Sequence, residues 1–546
     1  MFCPKCGKDT EDGSRFCSAC GADLCENVQE QEADSQEASG RLPLIIAITV
    51  IAIVIVVLTV AIVMLVVNKK SGADTADDGQ EAMAVENVET SATEVQSSAI
   101  VVEEEPAADT TAASEQPGDT MQLLVTVPTE TMSLRTSPGL GDDVVAELPA
   151  NTYLKWDGES VVDENDKMFY KVIVRDTQQA GYVSADFCVK VDYEYDAGAL
   201  NVVETDDALY TYDRMTADME ALCGRYPDIL SYHVLGTSLD GREIYEIILG
   251  SPSAANHVMV QASIHGREYM NTQLVMKLIE YYASFYDTGT YNGISYSDLF
   301  AKTAFHIVPM ANPDGVTISQ LGTEALNDQY YADLIYECYE RDKQFLAYRE
   351  DSLGDMNWTD LYKEEGYNRE EQGDLREITF EEYTEIWKAN AAGVDLNNNF
   401  DAGWEAIDLK QQPSYGNYKG SCAVSEPETQ VLAQLAQERE YQYYISYHSK
   451  GQLIYFDVSG NTPDTSMRSE NFATLLENFI KYKKVNTNKG YNVNLGGFSD
   501  WIQLDLNKAS VTIESGKHPC PLEVSEFPAI WLRHRESWAM IANSLY

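Results

Sequence analysis

Apolar positions in this chain follow three patterns, each predicting a different kind of element. The first is a continuous run at 44–67 in which Thr49 and Thr59 are the only polar members. At ~1.5 Å per residue a helix there would extend ~36 Å, enough to cross a hydrocarbon layer ~30 Å thick with some tilt. The run predicts one transmembrane helix, because it is too long for the apolar part of a cleaved signal peptide and follows more than 40 residues of other sequence. The second pattern is short alternation from 121 to about 192. There Leu123-Leu124-Val125, Val144-Val145-Ala146 and Phe169-Tyr170-Lys171-Val172 are separated by Gly, Pro and Asp, as in a small all-β barrel. The third begins near Tyr210, where helical periods alternate with β-rich apolar runs at 258–264, 305–310, 441–447 and 511–513. It predicts an α/β domain whose mixed, mainly parallel sheet is flanked by helices.

Polar segments separate these units. Residues 71–120 hold 13 acidic residues and no Lys or Arg, a self-repelling disordered linker. The expected chain is multi-domain: a cysteine-rich module at 1–24, a polar linker at 25–43, the helix at 44–67, an acidic linker at 68–120, the barrel at 121–195 and the α/β domain at 205–546. The stretch 321–386, rich in Glu, Asp and Tyr, reads as an inserted helical rim or as plain surface.

Charge narrows the partners. With 38 Lys and Arg against 88 Asp and Glu, the net charge of −50 repels a phosphate backbone, so nucleic acid is excluded as a partner. The ten cysteines form no disulfide framework: five lie at 3, 6, 17, 20 and 25, and the rest are scattered. Cys3 with Cys6 and Cys17 with Cys20 make two Cys-x-x-Cys-Gly knuckles, which can hold a structural zinc tetrahedrally as a zinc ribbon. A redox or disulfide role is the competing reading, and Cys25 is a spare thiol. Four thiolates suit a reducing cytosol, whereas Arg41 on one side of the apolar run and Lys69 with Lys70 on the other mildly favour the reverse orientation. Long domains translocate largely regardless of charge, so the expected topology is a single-pass membrane protein with its N-terminus cytoplasmic and its α/β domain outside.

The chemistry lies at predicted strand ends. The run 258–264 ends in His265-Gly266-Arg267-Glu268, 305–310 leads to Asn312-Pro313-Asp314-Gly315, 441–447 ends in His448-Ser449, and 511–513 ends in Glu514. With seven His and 88 acids, one His-x-x-Glu is expected by chance, so the first motif alone decides little. Open α/β sheets, however, place ligands outside the carboxyl ends of their strands. Two His and two Glu so delivered can supply three zinc ligands and one free carboxylate, the donor set of a catalytic zinc.

Two families are resembled. Ser133-Leu134-Arg135-Thr136-Ser137, Glu147-Leu148-Pro149 and Gly181-Tyr182-Val183 resemble bacterial SH3-like domains, which usually bind cell-wall peptides or serve as spacers. Residues 205–546 resemble the zinc carboxypeptidases. The motifs that carry this likeness are Gly236-Thr237-Ser238-Leu239-Asp240-Gly241-Arg242, His265-Gly266-Arg267-Glu268, Asn312-Pro313-Asp314-Gly315, Gly393-Val394-Asp395-Leu396-Asn397, Ser446-Tyr447-His448-Ser449 and Thr512-Ile513-Glu514. The resemblance implies zinc on His265, Glu268 and His448, with Glu514 as general base and Asp395 orienting the first His. It also implies Arg267, Asn397 and Asn398 as substrate-binding residues.

Some positions depart from the family. Exopeptidases have an Arg after the Asn of the anchoring motif, which grips the terminal carboxylate; here Asn397 is followed by Asn398, and no bidentate fork is possible. Lys388 stands where the family often has the Arg that stabilises the oxyanion, the alternative being a surface lysine. The mobile tyrosine expected four residues before Gly496-Gly497 is matched only by Tyr491, one position off. These departures, with Ser425-Glu426-Pro427-Glu428 and Gly496-Gly497-Phe498-Ser499-Asp500-Trp501, resemble most the bacterial branch that cuts γ-D-glutamyl-diamino-acid bonds in cell-wall stem peptides. The expectation is a membrane-anchored zinc metallopeptidase acting on such peptides. A general carboxypeptidase for exogenous peptides and a non-catalytic wall sensor whose zinc ribbon reports to a cytosolic partner are the alternatives.

Overall fold

The computed structural model describes residues 122–126, 131–141, 143–192, 195, 197–207, 209–350, 356–360, 376–407, 409–487 and 496–546. Cys3, Cys6, Cys17, Cys20, Cys25, the apolar run 44–67, the acidic stretch 71–120 and Tyr491 lie outside them. Among the described residues no helix is long and apolar enough to cross a membrane. The described part belongs to one compact unit that begins at Asp119.

Its first portion is all β. Strands β1 (Gln122–Thr126), β2 (Thr131–Arg135), β3 (Val144–Pro149), β4 (Tyr153–Val162), β5 (Met168–Val174), β6 (Ala180–Ser184) and β7 (Cys188–Val191) form one antiparallel sheet in the order β3-β2-β6-β5-β4-β1-β7. Alternate residues point inward, so Leu124, Leu134, Leu154, Val172 and Val183 make the small core.

The second portion is α/β. Strands β8 (Leu230–Thr237), β9 (Glu243–Leu249) and β10 (Asn256–Ala262) are followed by a short hairpin, β11 (Thr290–Tyr291) and β12 (Ile294–Ser295), and by β13 (Thr303–Val308). After an insertion with β14 (Leu346–Glu350), β15 (Met356–Asp360) and β16 (Arg376–Glu377) come β17 (Tyr443–Ser449), β18 (Leu453–Phe456), β19 (Lys483–Asn486) and β20 (Ser510–Ser515). The main sheet runs β19-β18-β20-β17-β10-β13-β9-β8. Its centre, β20-β17-β10-β13, is parallel, while β9 and β8 are antiparallel additions. Central strands covered on both faces need near-continuous apolar runs, and β10 and β13 have them. One face packs on the helices Met270–Ser284, Phe527–His534 and Ser537–Ser544, the other on Pro427–Gln437 and Phe498–Leu504.

The helix Met270–Ser284 is buried over nearly its whole surface although it carries Gln273, Lys277 and Glu280. Those polar groups are satisfied by the segment leading from the all-β portion. Glu280 accepts the backbone N–H groups of Val202 (2.7 Å) and Val203 (3.2 Å), Lys277 Nζ donates to Val203 O at 2.8 Å, and Gln273 donates to Glu204 O at 2.9 Å. Val125, Tyr153, Val189 and Val191 of the all-β portion share one apolar core with the α/β portion.

The insertion differs from the helical rim expected at 321–386. It contains the helix Gln329–Asp342, but β14, β15 and β16 then form a three-stranded antiparallel sheet. Leu346, Tyr348, Trp358 and Ile378 supply an apolar face to this small sheet, and they pack with Tyr383 and Trp387 in a separate cluster. Among the described residues, Cys188, Cys223, Cys338, Cys422 and Cys520 form no disulfide.

Candidate active site

The site is built at the carboxyl ends of β10, β17 and β20. Leaving β10, the chain turns at Ser263, held at φ 52°, and enters the 3-10 turn Gly266–Glu268. This left-handed conformation is rare for a non-glycine residue. The Ser263 hydroxyl shares a 2.7 Å hydrogen bond with Thr272 and donates to Glu268 O at 3.2 Å, tying the turn to the next helix. Asn312 fastens it from the other side: its side-chain amide donates to Ile264 O (3.1 Å) and Ala389 O (3.0 Å), and its Oδ1 accepts from Gly315 N at 2.9 Å. Asp314 beside it accepts from Ser238 Oγ, Asp240 N and Arg242 Nη1 at 2.7–2.9 Å, which joins two of the sequence motifs in one buried knot.

His265, Glu268 and His448 come together there, all buried, with one potential ligand atom from each lying within 4.8 Å of the others. His265 Nδ1 lies 2.7 Å from Glu268 Oε1, and His448 Nδ1 lies 3.0 Å from Oε2. On the far edge of the first ring, His265 Nε2 lies 3.2 Å from Asp395 Oδ1. Asp395 beside Nε2 favours a proton on that nitrogen, which leaves an Nδ1 lone pair facing a carboxylate, and two electron-rich groups so close need a cation between them. The donor set, two imidazole nitrogens and a carboxylate, is one that zinc takes. The chemistry of these three side chains thus fits the metal. Burial opposes ionisation of Glu268, but the adjacent His265 and His448 outweigh it and hold the carboxyl well below its ordinary range. Asp395 is likewise held low, against burial, by Lys388, by His265 and by the N–H of Asn417 at 2.9 Å.

Glu514 stands opposite His448 in the β17–β20 register. Burial pushes its carboxyl up to about 7, with Glu268 adding to the rise and His448, Lys388 and Arg267 opposing it. A carboxylate poised near neutrality can take and return a proton. Beneath the site, Asn271, Ser449 and Ser515 form a buried network. Asn271 Nδ2 donates to Ser449 Oγ at 3.1 Å, and Ser515 Oγ donates to Asn271 Oδ1 at 2.7 Å, linking a helix to β17 and β20. Nothing in the sequence pattern singles out Asn271, because its partners are brought by distant strands.

The remaining expected residues are distributed around this centre. Lys388 is beside it, with Nζ 3.2 Å from Asp395 Oδ2 and its side chain mostly covered, so it is no surface lysine. Asn397 and Asn398 close the 3-10 turn Leu396–Asn398 against Gly496-Gly497. Asn397 Oδ1 is already engaged by Phe498 N at 3.0 Å, so that atom supports the turn. Asp500, next to the same turn, is raised by burial to about 7. Arg267 stacks on Trp358 of the insertion, with its guanidinium carbon 4.8 Å from the ring centroid. Arg376, on the insertion, is paired with Glu382 and is exposed.

A family model for zinc carboxypeptidases matches residues 215–537, and a zinc-ribbon domain model matches residues 2–24. The chain belongs to the zinc carboxypeptidase family, and it is a zinc metallopeptidase. It is similar to γ-D-glutamyl-L-diamino acid endopeptidase 1 of Lysinibacillus sphaericus, 27% identical over 346 residues that cover 62% of this chain and 72% of that one. It is also similar to the uncharacterized protein YqgT of Bacillus subtilis, 27% identical over 329 residues, 60% of this chain and 75% of the relative. Among solved structures, thrombin activatable fibrinolysis inhibitor superposes with a TM-score of 0.43 at 19% identity, covering 64% of this chain and 80% of that one.

Proposed function

We propose that this protein is a membrane-anchored zinc peptidase that hydrolyses γ-D-glutamyl-diamino-acid bonds in cell-wall stem peptides. The observation that carries the reading is the convergence of His265, Glu268, His448 and Glu514 at the ends of three neighbouring strands. The bond named for the Lysinibacillus relative, and the loss of the carboxylate-gripping Arg at Asn398, support that substrate over a simple C-terminal peptide. His265, Glu268 and His448 would hold the metal, with Asp395 orienting His265. Zinc bound there supplies Lewis acidity toward the peptide carbonyl and the attacking water. Glu514 removes the proton from that water and returns it to the departing amine, and Lys388 offers positive charge to the developing oxyanion.

In this reading the apolar run at 44–67 anchors the chain in a bacterial membrane, with the N-terminus and a structural zinc in the ribbon on the cytosolic side. The barrel is an SH3-like module facing the wall. The test is mass spectrometry of purified stem peptides after incubation with detergent-solubilised full-length protein. Cleavage between γ-D-glutamate and the diamino acid is expected from the wild type. Glu514→Gln should keep its zinc but lose at least the ~10²–10⁴-fold typical of a missing general base. Intact stem peptides after exhaustive incubation with zinc-loaded wild type would refute the assignment.

A further inference from the structure

Two cations lie near Glu514, and they differ in how they are paired. Lys388 has Asp395 at 3.2 Å. Arg267, on the turn between the two motif ligands His265 and Glu268, has no carboxylate within ion-pairing distance among the described residues, and its Nε and Nη1 are buried without a hydrogen-bond partner. A guanidinium left in that state is unfavourable until an anion arrives. Its flat face is meanwhile fixed. Trp358, on β15 of the insertion, stacks on it at 4.8 Å and is itself braced edge-on by Tyr415 at 5.8 Å, while Tyr415 O accepts the backbone N–H of Lys388 at 2.8 Å. The insertion therefore holds a planar donor group, short of acceptors, at the edge of the site.

We infer that Arg267 and Trp358 form the subsite for the free α-carboxylate of a γ-linked glutamyl residue, a specificity device that rests on the substrate class proposed above. An ordinary α-linked residue has its α-carbonyl consumed in the scissile amide. A γ-linked glutamyl residue keeps a free carboxylate on the acyl side of that bond, three carbons from the reacting carbonyl. A guanidinium receives such a group through paired charge-assisted hydrogen bonds that an ammonium cannot reproduce in the same plane. Arg267 touches the substrate, and Trp358 is a positioning residue that acts through it.

The test uses full-length protein, zinc-loaded, and two synthetic peptides that differ only in whether the α-carboxylate of the γ-D-glutamyl residue is free or amidated. The wild type should prefer the free acid by at least about thirtyfold in kcat/KM. Arg267→Gln should cleave both forms within threefold of each other at normal zinc content. Trp358→Ala should raise KM for the free acid about tenfold with kcat changed less than threefold, and Trp358→Phe should restore most of the preference. The Phe variant and the zinc content separate this role from a folding defect. If the wild type cleaves both forms equally, or Arg267→Gln keeps the preference, the subsite is refuted and the proposed function stands. If neither form is cleaved, the function and the subsite fall together.

Discussion

Gly266, between the two ligands of the first motif, is the most exacting test of how the site is positioned. A Cβ at this position would lie 2.8 Å from Gly315 Cα and closer still to the Gly315 carbonyl. These neighbours are backbone atoms and cannot rotate away. Gly315 is pinned in turn, because its own Cβ position is filled by Ala389 O and the Asn312 amide. Since ordinary contact begins near 3.4 Å and the Gly315 carbonyl is the nearest obstacle, Gly266→Ala must push the turn and the helix Pro313–Leu321 apart by about 1 Å. Overpacking of this kind costs about 1–3 kcal/mol. Because the displaced turn carries His265 and Glu268, and a misplacement of ~1 Å can cost ~10²-fold in rate, kcat/KM should fall by about 30- to 100-fold. The assay is stem-peptide cleavage at saturating zinc, with zinc content and thermal melting measured on the same sample. Gly224→Ala, in a helix with nothing within 4 Å of the new methyl, is the control and should leave activity unchanged and melting the same or higher. A Gly266→Ala enzyme within threefold of wild type, melting at the same temperature, would show that the backbone pinch does not set the site.

Four further outcomes are expected. His448→Ala removes one of the three proposed metal ligands, and metal analysis should find well under one equivalent of zinc in the α/β site; full occupancy would contradict the ligand set. Asn398→Arg should gain hydrolysis of simple peptides with a free C-terminal carboxylate, because a guanidinium supplies the missing fork, and no gain at normal zinc content would contradict that account. Glu428 is fully buried, and burial, with Asp314 and Glu426 beside it, holds its carboxyl well above the ordinary range. The stabilisation of its protonated form is present at low pH and is lost as pH rises from the ordinary carboxyl range toward the raised value, so Glu428→Gln should raise the melting temperature more at pH 8 than at pH 5; an equal shift at both would refute the assignment. In intact cells an impermeant thiol reagent should leave Cys3 and Cys6 unlabelled, and labelling would reverse the proposed orientation.

The parallel centre of the sheet was legible because strands covered on both faces must be apolar, and a polar residue at the end of such a run stands out. His265, His448 and Glu514 stand out in this way, and the structure brings them together. Strand starts were less legible. β10 begins at Asn256, two residues before the apolar run, because Asn256 Nδ2 donates to Leu545 O and Gln442 Oε1 accepts from His257 N. Those contacts depend on residues far away in sequence. The β14–β16 sheet is not legible in the sequence: the acidic, tyrosine-rich stretch suggests only a helical rim or plain surface. Its apolar face appears only when Leu346, Tyr348, Trp358 and Ile378 are seen against Tyr383 and Trp387. Trp358 could be connected with Arg267 only through that fold.

The passage from the all-β to the α/β portion is no swivel. Its backbone N–H groups end on Glu280, Trp531 Nε1 donates to Tyr195 OH at 3.1 Å, and Gly293 N donates to Asp192 Oδ2 at 3.1 Å. An all-β portion so welded would work as a jig. If it binds the wall as proposed, the surface it grips would fix the heading of the active site as well as its distance, and bonds a few ångströms out of line would not be reached by rocking. Lengthening this passage with a flexible insert would trade aim for reach: more bonds would become accessible, each less often.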